Sequence, residues 1–195
     1  MTLKIVQAGE AVLRRQARPL IPEEILHRSS IKVLIEEMRE AMRAAPGVGL
    51  AAPQVGVSKQ IAVIEDRVEY HAKATPEQLA ERGRRHVPFH VLINPRIVAL
   101  DESRVEFFEG CLSVEGYTAI VPRAHRVVVE FLNEHAEPMR VEAEGWYARI
   151  LQHEIDHLNG VLYIDRMHPR TLCSMENYER LWKGISTAEA RKILG

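Results

Sequence analysis

A chain of 195 residues, 46 % of them hydrophobic, fits one domain that buries a core without disulfide staples. Its net charge of −1 gives no sign of a nucleic-acid or anionic-membrane partner, although a local basic patch stays open. Two cysteines are too few for a disulfide framework and favour a reducing compartment, and no apolar run approaches the ~20 residues that span a bilayer.

The first long element along the chain is a helix, predicted over residues 22–45. A proline and two acids stand where a first helical turn favours them, and apolar residues follow at helical spacing. The proline–glycine pair at 46–47 predicts its end. A glycine-punctuated loop follows at 47–56, and the apolar run at 61–64 predicts a strand.

Residues 66–90 are charged and irregular, and they predict a surface insertion with one helical turn after Pro76. Three histidines in or beside it lack ligand spacing and are expected to be ordinary surface residues: His71, His86 and His90. Further along, β-branched or apolar runs predict strands at 91–93, 97–98, 105–107, 127–129 and 139–141.

Two helical segments are predicted in the rest of the chain. The first covers 145–159, where one stripe is apolar and an Asn-Gly pair supplies the stop. The second covers 175–194 as one or two helices, broken near Gly184. No internal repeat or linker is recognised, so residues 1–195 are predicted to form a single α+β domain with a helical tail at about 171–195.

The strongest local signal is His153-Glu154-Ile155-Asp156-His157 on the first of these helices. Side chains four positions apart lie about 5–6 Å apart on one helix face, so both imidazoles can reach one metal ion. Glu154 points about a quarter turn away, where a carboxylate general base stands in two-histidine metal sites. The alternative is a solvated face that carries these residues by chance. The apolar residues on both sides of the motif argue against this alternative, because they indicate a partly buried helix. Buried histidine or glutamate costs free energy unless it is paired or coordinated.

A catalytic metal site needs a third protein ligand and leaves one position for water. The longer metalloprotease motif would have histidine where this chain has Tyr163, and the downstream acids Glu176 and Glu179 lack distinctive context. Cys111 is the better candidate, because it stands beside glycine between strand-like segments and a thiolate binds Fe(II), Zn(II) or Co(II) strongly. Cys173 lacks such context and is predicted to be a small buried hydrophobic residue.

Three segments together resemble the signature motifs of the peptide deformylase family: Gly47-Val48-Gly49-Leu50-Ala51-Ala52-Pro53-Gln54, Glu109-Gly110-Cys111-Leu112-Ser113 and His153-Glu154-Ile155-Asp156-His157. They occur in the family's order and at family-like separations, across residues 1–170. The stretch 145–150 and the 66–90 segment resemble the branch that includes organellar and some bacterial enzymes. The resemblance implies a deformylase-like fold, with antiparallel or mixed β-sheets packed around a central metal-binding helix.

The resemblance also implies an activity: metal-dependent removal of the N-formyl group from the N-terminal formyl-methionine of newly made polypeptides, with release of formate. The implied metal ligands are Cys111, His153 and His157, and Glu154 is the implied general base. These ligands suit Fe(II), Zn(II), Ni(II) and Co(II) and do not decide among them. The resemblance favours Fe(II).

Formamide hydrolysis builds negative charge on the carbonyl oxygen, which an oxyanion hole stabilises. The resemblance implies that the Gln54 amide and the backbone N–H of Leu112 hold this oxygen. It also implies contacts with the peptide main chain at Gly49 and Gly110, and with the methionine side chain at Val48. Glycines leave room for an extended peptide to approach the backbone. An ordinary turn after a helix is the alternative interpretation of the pair at 47 and 49.

One region departs from the family pattern. Some members carry an arginine a few residues after the cysteine motif, near the peptide cleft. Here residues 115–118 contain no arginine, and Arg123 comes later. The basic contact with the rest of the peptide therefore stays open.

The expected partners are nascent formyl-methionyl chains and the ribosome near its exit tunnel, without sequence-specific nucleic acid or membrane, and the expected state is a monomer. No signal or transit peptide is recognised at residues 1–5, which predicts the bacterial cytosol, with a mature organellar form as the alternative.

Two rival functions are a metal endopeptidase with another third ligand and a degenerate member that binds formylated peptides without hydrolysing them. Cleavage of an internal peptide bond or a metal site without sulfur would favour the first, and formate release from a formyl-Met peptide would exclude the second.

Overall fold

The computed structural model describes residues 3–45, 47–72 and 74–195. Within these residues the helices are α1 (Pro22–His27), α2 (Ser29–Ala44), α3 (Val68–His71), α4 (Pro76–Arg82), α5 (Gly145–Leu158), α6 (Met175–Asn177) and α7 (Thr187–Leu194). The strands are β1 (Gly49–Ala51), β2 (Ile61–Asp66), β3 (Val87–Leu100), β4 (Arg104–Cys111), β5 (Val114–Ala124), β6 (Arg126–Leu132), β7 (Pro138–Glu144) and β8 (Cys173–Ser174). None of these helices is long and apolar enough to cross a membrane.

The single helix predicted over residues 22–45 is two helices, α1 and α2, so that prediction was wrong at Arg28. This residue has an extended backbone, with φ −91° and ψ 105°. Serines follow at 29 and 30, and serine favours the start of a helix over its interior because its hydroxyl competes for backbone hydrogen bonds. The second helix ends at Ala44, and the predicted breaker Pro46 lies outside the described residues.

One antiparallel sheet has five strands in the order β1-β2-β3-β6-β7. The predicted strands at 61–64, 127–129 and 139–141 are confirmed, and those at 91–93 and 97–98 are two parts of β3. The helix α2 packs on this sheet with an apolar stripe, made of Ile31, Leu34, Ile35, Met38, Ala41 and Met42.

A second antiparallel sheet joins β4, β5 and β8, with β5 in the centre. The predicted strand at 105–107 is part of β4, whereas β5 was not predicted. Its buried run Ala119-Ile120-Val121 was the available signal, but turn-like residues on both sides, Gly116 and Pro122, concealed it. A two-residue loop, Leu112-Ser113, joins β4 to β5 and brings Cys111 to the end of its strand.

The helix α5 lies between the two sheets and contacts β1, β2, β3, β5, β6 and β7. The predicted helix at 145–159 is confirmed, and it stops at Asn159 before Gly160, which has a left-handed φ of 75°. Eleven of the fourteen residues of α5 are buried, so its polar side chains must find partners inside the protein. The predicted fold class, α+β with sheets around a central helix, is confirmed.

The 66–90 segment is less irregular than expected, because it begins in β2, ends in β3 and carries α3 and α4 between them. Asp66 is fully buried and accepts two hydrogen bonds from Arg84, at 2.8 and 2.9 Å. His71, expected at the surface, is mostly buried with its Nε2 3.1 Å from Asp66 Oδ1. Gly83 lies against Gly145 at the start of α5. The segment therefore packs against the central helix; its status as an insertion stays a prediction.

The C-terminal segment breaks near Gly184 as predicted. A π-helical turn continues α6 to Trp182, and α7 starts at Thr187. The predicted helical tail at 171–195 is wrong at its beginning, where β8 pairs with β5 before the first helical residue. Cys173 in this strand is half-buried and packs with Phe108 and Ile120.

Candidate metal centre and active site

The candidate metal site joins the end of β4 to the middle of α5. Cys111 Sγ lies 3.2 Å from His157 Nε2, which lies 3.2 Å from His153 Nε2. One atom from each of the three residues lies within 4.8 Å of the other two. The histidines share a face of α5 because they stand one helical turn apart. The thiol reaches them through the packing of the second sheet on the helix.

A divalent metal ion fits these donors. Bonds of about 2.0–2.3 Å to nitrogen and sulfur in a tetrahedron separate neighbouring ligand atoms by about 3.3–3.6 Å, close to the observed 3.2 Å. His157 is 1 % exposed, and its Nδ1 has no hydrogen-bond partner among the described residues. Its Nε2 is the ring nitrogen that meets the other donors, at 3.2 Å from both Cys111 Sγ and His153 Nε2.

Glu109 orients one of these histidines. Its Oε2 lies 3.1 Å from His153 Nδ1, which turns the Nε2 of that ring toward the cysteine. Arg123 donates to both carboxylate oxygens at 3.0 Å, and Arg149 donates to Oε1. Burial acts to raise the pKa of Glu109, but Arg123 and the hydrogen bond with His153 hold it below its usual range. The carboxylate therefore stays charged inside the protein.

The same ion-pair network continues along α5. Arg123 also donates to Asp156, which accepts two further hydrogen bonds from Arg166, at 2.6 and 2.7 Å. Because Arg123 is 2 % exposed, it cannot supply the basic peptide contact that the sequence left open. Sequence reasoning missed this network and the roles of Glu109 and Arg149. The available signal was charged residues inside apolar runs, since a buried charge requires a partner.

Replacing Arg123 by methionine is expected to lower the free energy of unfolding by about 3–5 kcal/mol, because Glu109 and Asp156 would each lose a buried cationic partner. Urea unfolding followed by circular dichroism measures the change. Arg126→Met is the control, since the Arg126 side chain is 62 % exposed and its pair with Glu144 is worth at most about 1 kcal/mol. Equal losses in the two variants would contradict a structural role for the buried network.

Glu154 lies beside the three donors with an unpaired oxygen. It is 4 % exposed, and its Oε2 has no hydrogen-bond partner among the described residues. A Cβ on Gly49 would lie 2.2 Å from Glu154 Oε1, so the carboxylate rests against β1 where only glycine leaves room. Burial raises the pKa of Glu154 to about 7. A carboxyl with such a pKa can take and return a proton near neutral pH.

Gln54 approaches the cysteine sulfur from another side. Its Oε1 accepts a hydrogen bond from Ala51 N–H at 2.8 Å, which orients the amide. Its Nε2 then lies 3.5 Å from Cys111 Sγ and 3.3 Å from Ser113 Oγ. Leu112 lies in the loop directly after Cys111. A side-chain amide and the cysteine loop therefore meet at one end of the metal site.

A cleft of about 940 Å³ opens onto these groups. Eight of the nine site residues predicted from the sequence line the cleft: Val48, Gly49, Gln54, Gly110, Cys111, Leu112, His153 and Glu154. The ninth, His157, is buried behind them. The cleft also has walls that the sequence did not predict. They come from the 66–90 segment, α5 and the C-terminal segment, with Arg82, Arg84, Trp146, Ile150, Met175 and Tyr178.

The geometry defines a class of enzyme. Donors suited to one divalent cation lie beside a buried carboxylate with a proton-accepting oxygen, and a side-chain amide faces the same point. These are the groups that a metal-dependent amide hydrolase needs. Because the third donor is a cysteine sulfur, the site does not match the endopeptidase alternative, which would use a different third ligand.

Comparison with known proteins identifies the family within this class of enzyme. The model of the polypeptide deformylase family matches residues 2–172. Peptide deformylase 3 of Streptomyces avermitilis is 47 % identical over 194 residues, which are 99 % of this chain and 84 % of that protein. Peptide deformylase 1A, chloroplastic/mitochondrial, of Arabidopsis thaliana is 45 % identical over 176 residues, and the match covers 90 % of this chain but 65 % of the plant protein.

Solved structures agree. The Met-Ala-Ser-bound class I type b peptide deformylase of Acinetobacter baumannii matches with a TM-score of 0.76 and 32 % identity, over 86 % of this chain and 99 % of that one. The chain belongs to the polypeptide deformylase family. The activity that follows is metal-dependent removal of the N-formyl group from nascent peptides.

Proposed function

We propose that this chain cleaves the formamide bond of N-formyl-methionyl peptides to give formate and a free amino terminus. The observation that carries the proposal is the unpaired Oε2 of Glu154 beside the Cys111, His153 and His157 donors. The test is an anaerobic formate-release assay with formyl-Met-Ala-Ser, together with metal analysis of the same sample. Absence of formate from protein with one metal ion per chain would overturn the proposal.

The proposed metal ligands are Cys111, His153 and His157, and the proposed physiological ion is Fe(II), with Zn(II), Ni(II) and Co(II) as alternatives for the same donors. A divalent ion there would act as a Lewis acid on the carbonyl oxygen and lower the pKa of a water that it binds to about 7. Glu109 would keep His153 in the tautomer that presents Nε2, through the contact at its Nδ1.

Glu154 is proposed to move the proton. Its carboxylate would accept a proton from the attacking water and then donate it to the amine nitrogen as the C–N bond breaks. Formic acid and the neutral amine are the immediate products, and transfer of the acid's proton to the amine gives formate and the charged amino terminus, so protons and atoms balance. The raised pKa of Glu154, about 7, suits both steps near neutral pH.

Gln54 and the backbone N–H of Leu112 are proposed to hold the formyl oxygen as negative charge develops on it. The support is the orientation of Gln54, whose Oε1 is bound by Ala51 N–H so that Nε2 faces the cysteine. An amide fixed in advance needs no reorganisation during the reaction, which is why such donors contribute strongly to rate.

Replacing Gln54 by glutamate is expected to lower kcat about 10²- to 10³-fold, because the carboxylate keeps the bond with Ala51 N–H but donates no hydrogen bond to the oxyanion. Stopped formate-release assays with formyl-Met-Ala-Ser measure kcat and KM separately. Metal content should stay near that of the wild type, whereas the unfolding midpoint should fall, because Gln54 is 2 % exposed and a charge at this position costs free energy. A kcat within threefold of the wild type would remove Gln54 from this role.

The substrate is proposed to run along β1 and the end of β4. Gly49 and Gly110 would admit the extended main chain, and Val48 would contact the methionine side chain. Among the described residues, a Cβ at Gly110 would meet only Tyr117 O, at 3.7 Å, so packing does not require glycine there. The Acinetobacter baumannii relative with bound Met-Ala-Ser supports a peptide in the equivalent cleft.

We further propose a monomeric enzyme of one catalytic domain over residues 1–195 that meets nascent chains at the ribosomal exit tunnel. The proposed location is the bacterial cytosol, with an organellar location as the alternative, since relatives of both kinds match. Light scattering in solution tests the oligomeric state, and co-sedimentation with ribosomes that carry formylated nascent chains tests the partner.

A further inference from the structure

The C-terminal segment contributes to the cleft although it lies beyond the matched family region, which ends at residue 172. Its first strand, β8, adds to the sheet that carries Cys111, with Ser174 opposite Tyr117 and Cys173 opposite Thr118. Thr118 in turn lies opposite Gly110 in the neighbouring strand pair. The chain therefore leaves this sheet at the edge of the substrate cleft.

Side chains hold the segment in this position. Ala190 of α7 is fully buried against Phe108 and Ile120. The ring of Tyr178 packs on that of Phe108, with the centroids 4.9 Å apart. Because Phe108 immediately precedes Glu109, the segment is anchored on the strand that builds the metal site.

The anchored segment turns two large side chains toward the cleft. Met175 and Tyr178 line it beside Tyr117 of β5. Met175 is 40 % exposed and Tyr117 is 51 % exposed, so apolar surface stays uncovered at the mouth of a peptide-binding cleft. Isolated exposed apolar residues need no explanation, but a group of them continuous with a binding site marks a contact surface.

We propose that Met175, Tyr178 and Tyr117 form a wall that binds apolar side chains in the two residues after formyl-methionine. This inference rests on the proposed function and adds a determinant of substrate preference to it. A flexible thioether and two aromatic rings adapt to different apolar shapes. Such a wall suits an enzyme whose substrates share only their first residue.

The test compares two substrates of equal length, formyl-Met-Leu-Leu and formyl-Met-Ala-Ser, through kcat/KM for formate release. The wild type is expected to prefer the leucine peptide. Met175→Ala and Tyr178→Ala should each reduce that preference about 3- to 10-fold, mainly by raising KM for the leucine peptide. The value for formyl-Met-Ala-Ser should fall by a smaller factor than the value for the leucine peptide. Leu181→Ala is the control, since Leu181 is 45 % exposed in the same segment but does not line the cleft.

Each outcome of this comparison either supports or overturns the proposed role of the wall. Met175 is the cleaner position, because Tyr178 also packs on Phe108 and its loss can loosen the segment. Three results would overturn the proposed role of the wall. They are a wild-type enzyme that does not prefer the leucine peptide, an unchanged preference in Met175→Ala, and an equal shift in Leu181→Ala. Formate release from formyl-Met-Ala-Ser would still stand in those cases. A wild-type enzyme that releases formate from neither peptide would overturn the proposed function, and this inference with it.

Discussion

Replacing Glu154 by glutamine is expected to lower kcat for formate release by about 10²- to 10⁴-fold while the protein keeps its metal ion. Glutamine has nearly the shape of glutamate but accepts no proton from water. The carboxylate is not one of the three converging donors, so its loss leaves that set intact. Anaerobic formate assays and elemental analysis of the same sample measure turnover and metal content together.

Stability separates this effect from misfolding. Burial penalises the charged form of Glu154, so a neutral amide there should leave the unfolding midpoint unchanged or higher. Glu154→Asp is the matched variant: it keeps a carboxylate but withdraws it by one methylene, and should fall between glutamine and wild type. Near-normal turnover of Glu154→Gln at full metal content would rule out the proton-transfer role.

Replacing Cys111 by alanine is expected to lower metal affinity by more than 100-fold and abolish measurable formate release. Changes to residues that only support a ligand already cost about 10- to 100-fold, so removal of a direct ligand should exceed that range. Two imidazoles would remain, 3.2 Å apart at their Nε2 atoms, without the sulfur that completes the set. Competition with a chelator of known affinity, followed by elemental analysis, measures the loss.

The second cysteine supplies the control. Cys173 is half-buried in β8, away from the metal donors, and Cys173→Ala should retain one metal ion per chain and normal turnover. This comparison removes general thiol effects such as oxidation. Unchanged metal affinity in Cys111→Ala would exclude the thiolate from the ligand set and reopen the search for the third ligand.

Local features of the sequence were predictable because their physical causes are local. Helical periodicity predicted α5 and set His153 and His157 one turn apart, and an Asn-Gly pair predicted its end. Runs of β-branched residues predicted β2, β6 and β7. Prediction failed where competing local signals hid an element, as at β5, and at Arg28, where serines restart a helix inside an apolar helical pattern.

The sequence by itself determined the helix that presents two imidazoles and the family to which its motifs belong. Only the tertiary structure decided that Cys111 Sγ lies 3.2 Å from His157 Nε2, that Glu109 and Arg123 pair inside the protein, and that the C-terminal segment forms a wall of the cleft. The reason is physical: periodicity acts between neighbours along the chain. Contacts between residues 14 and 46 positions apart arise only when strands pair and the second sheet packs on the central helix.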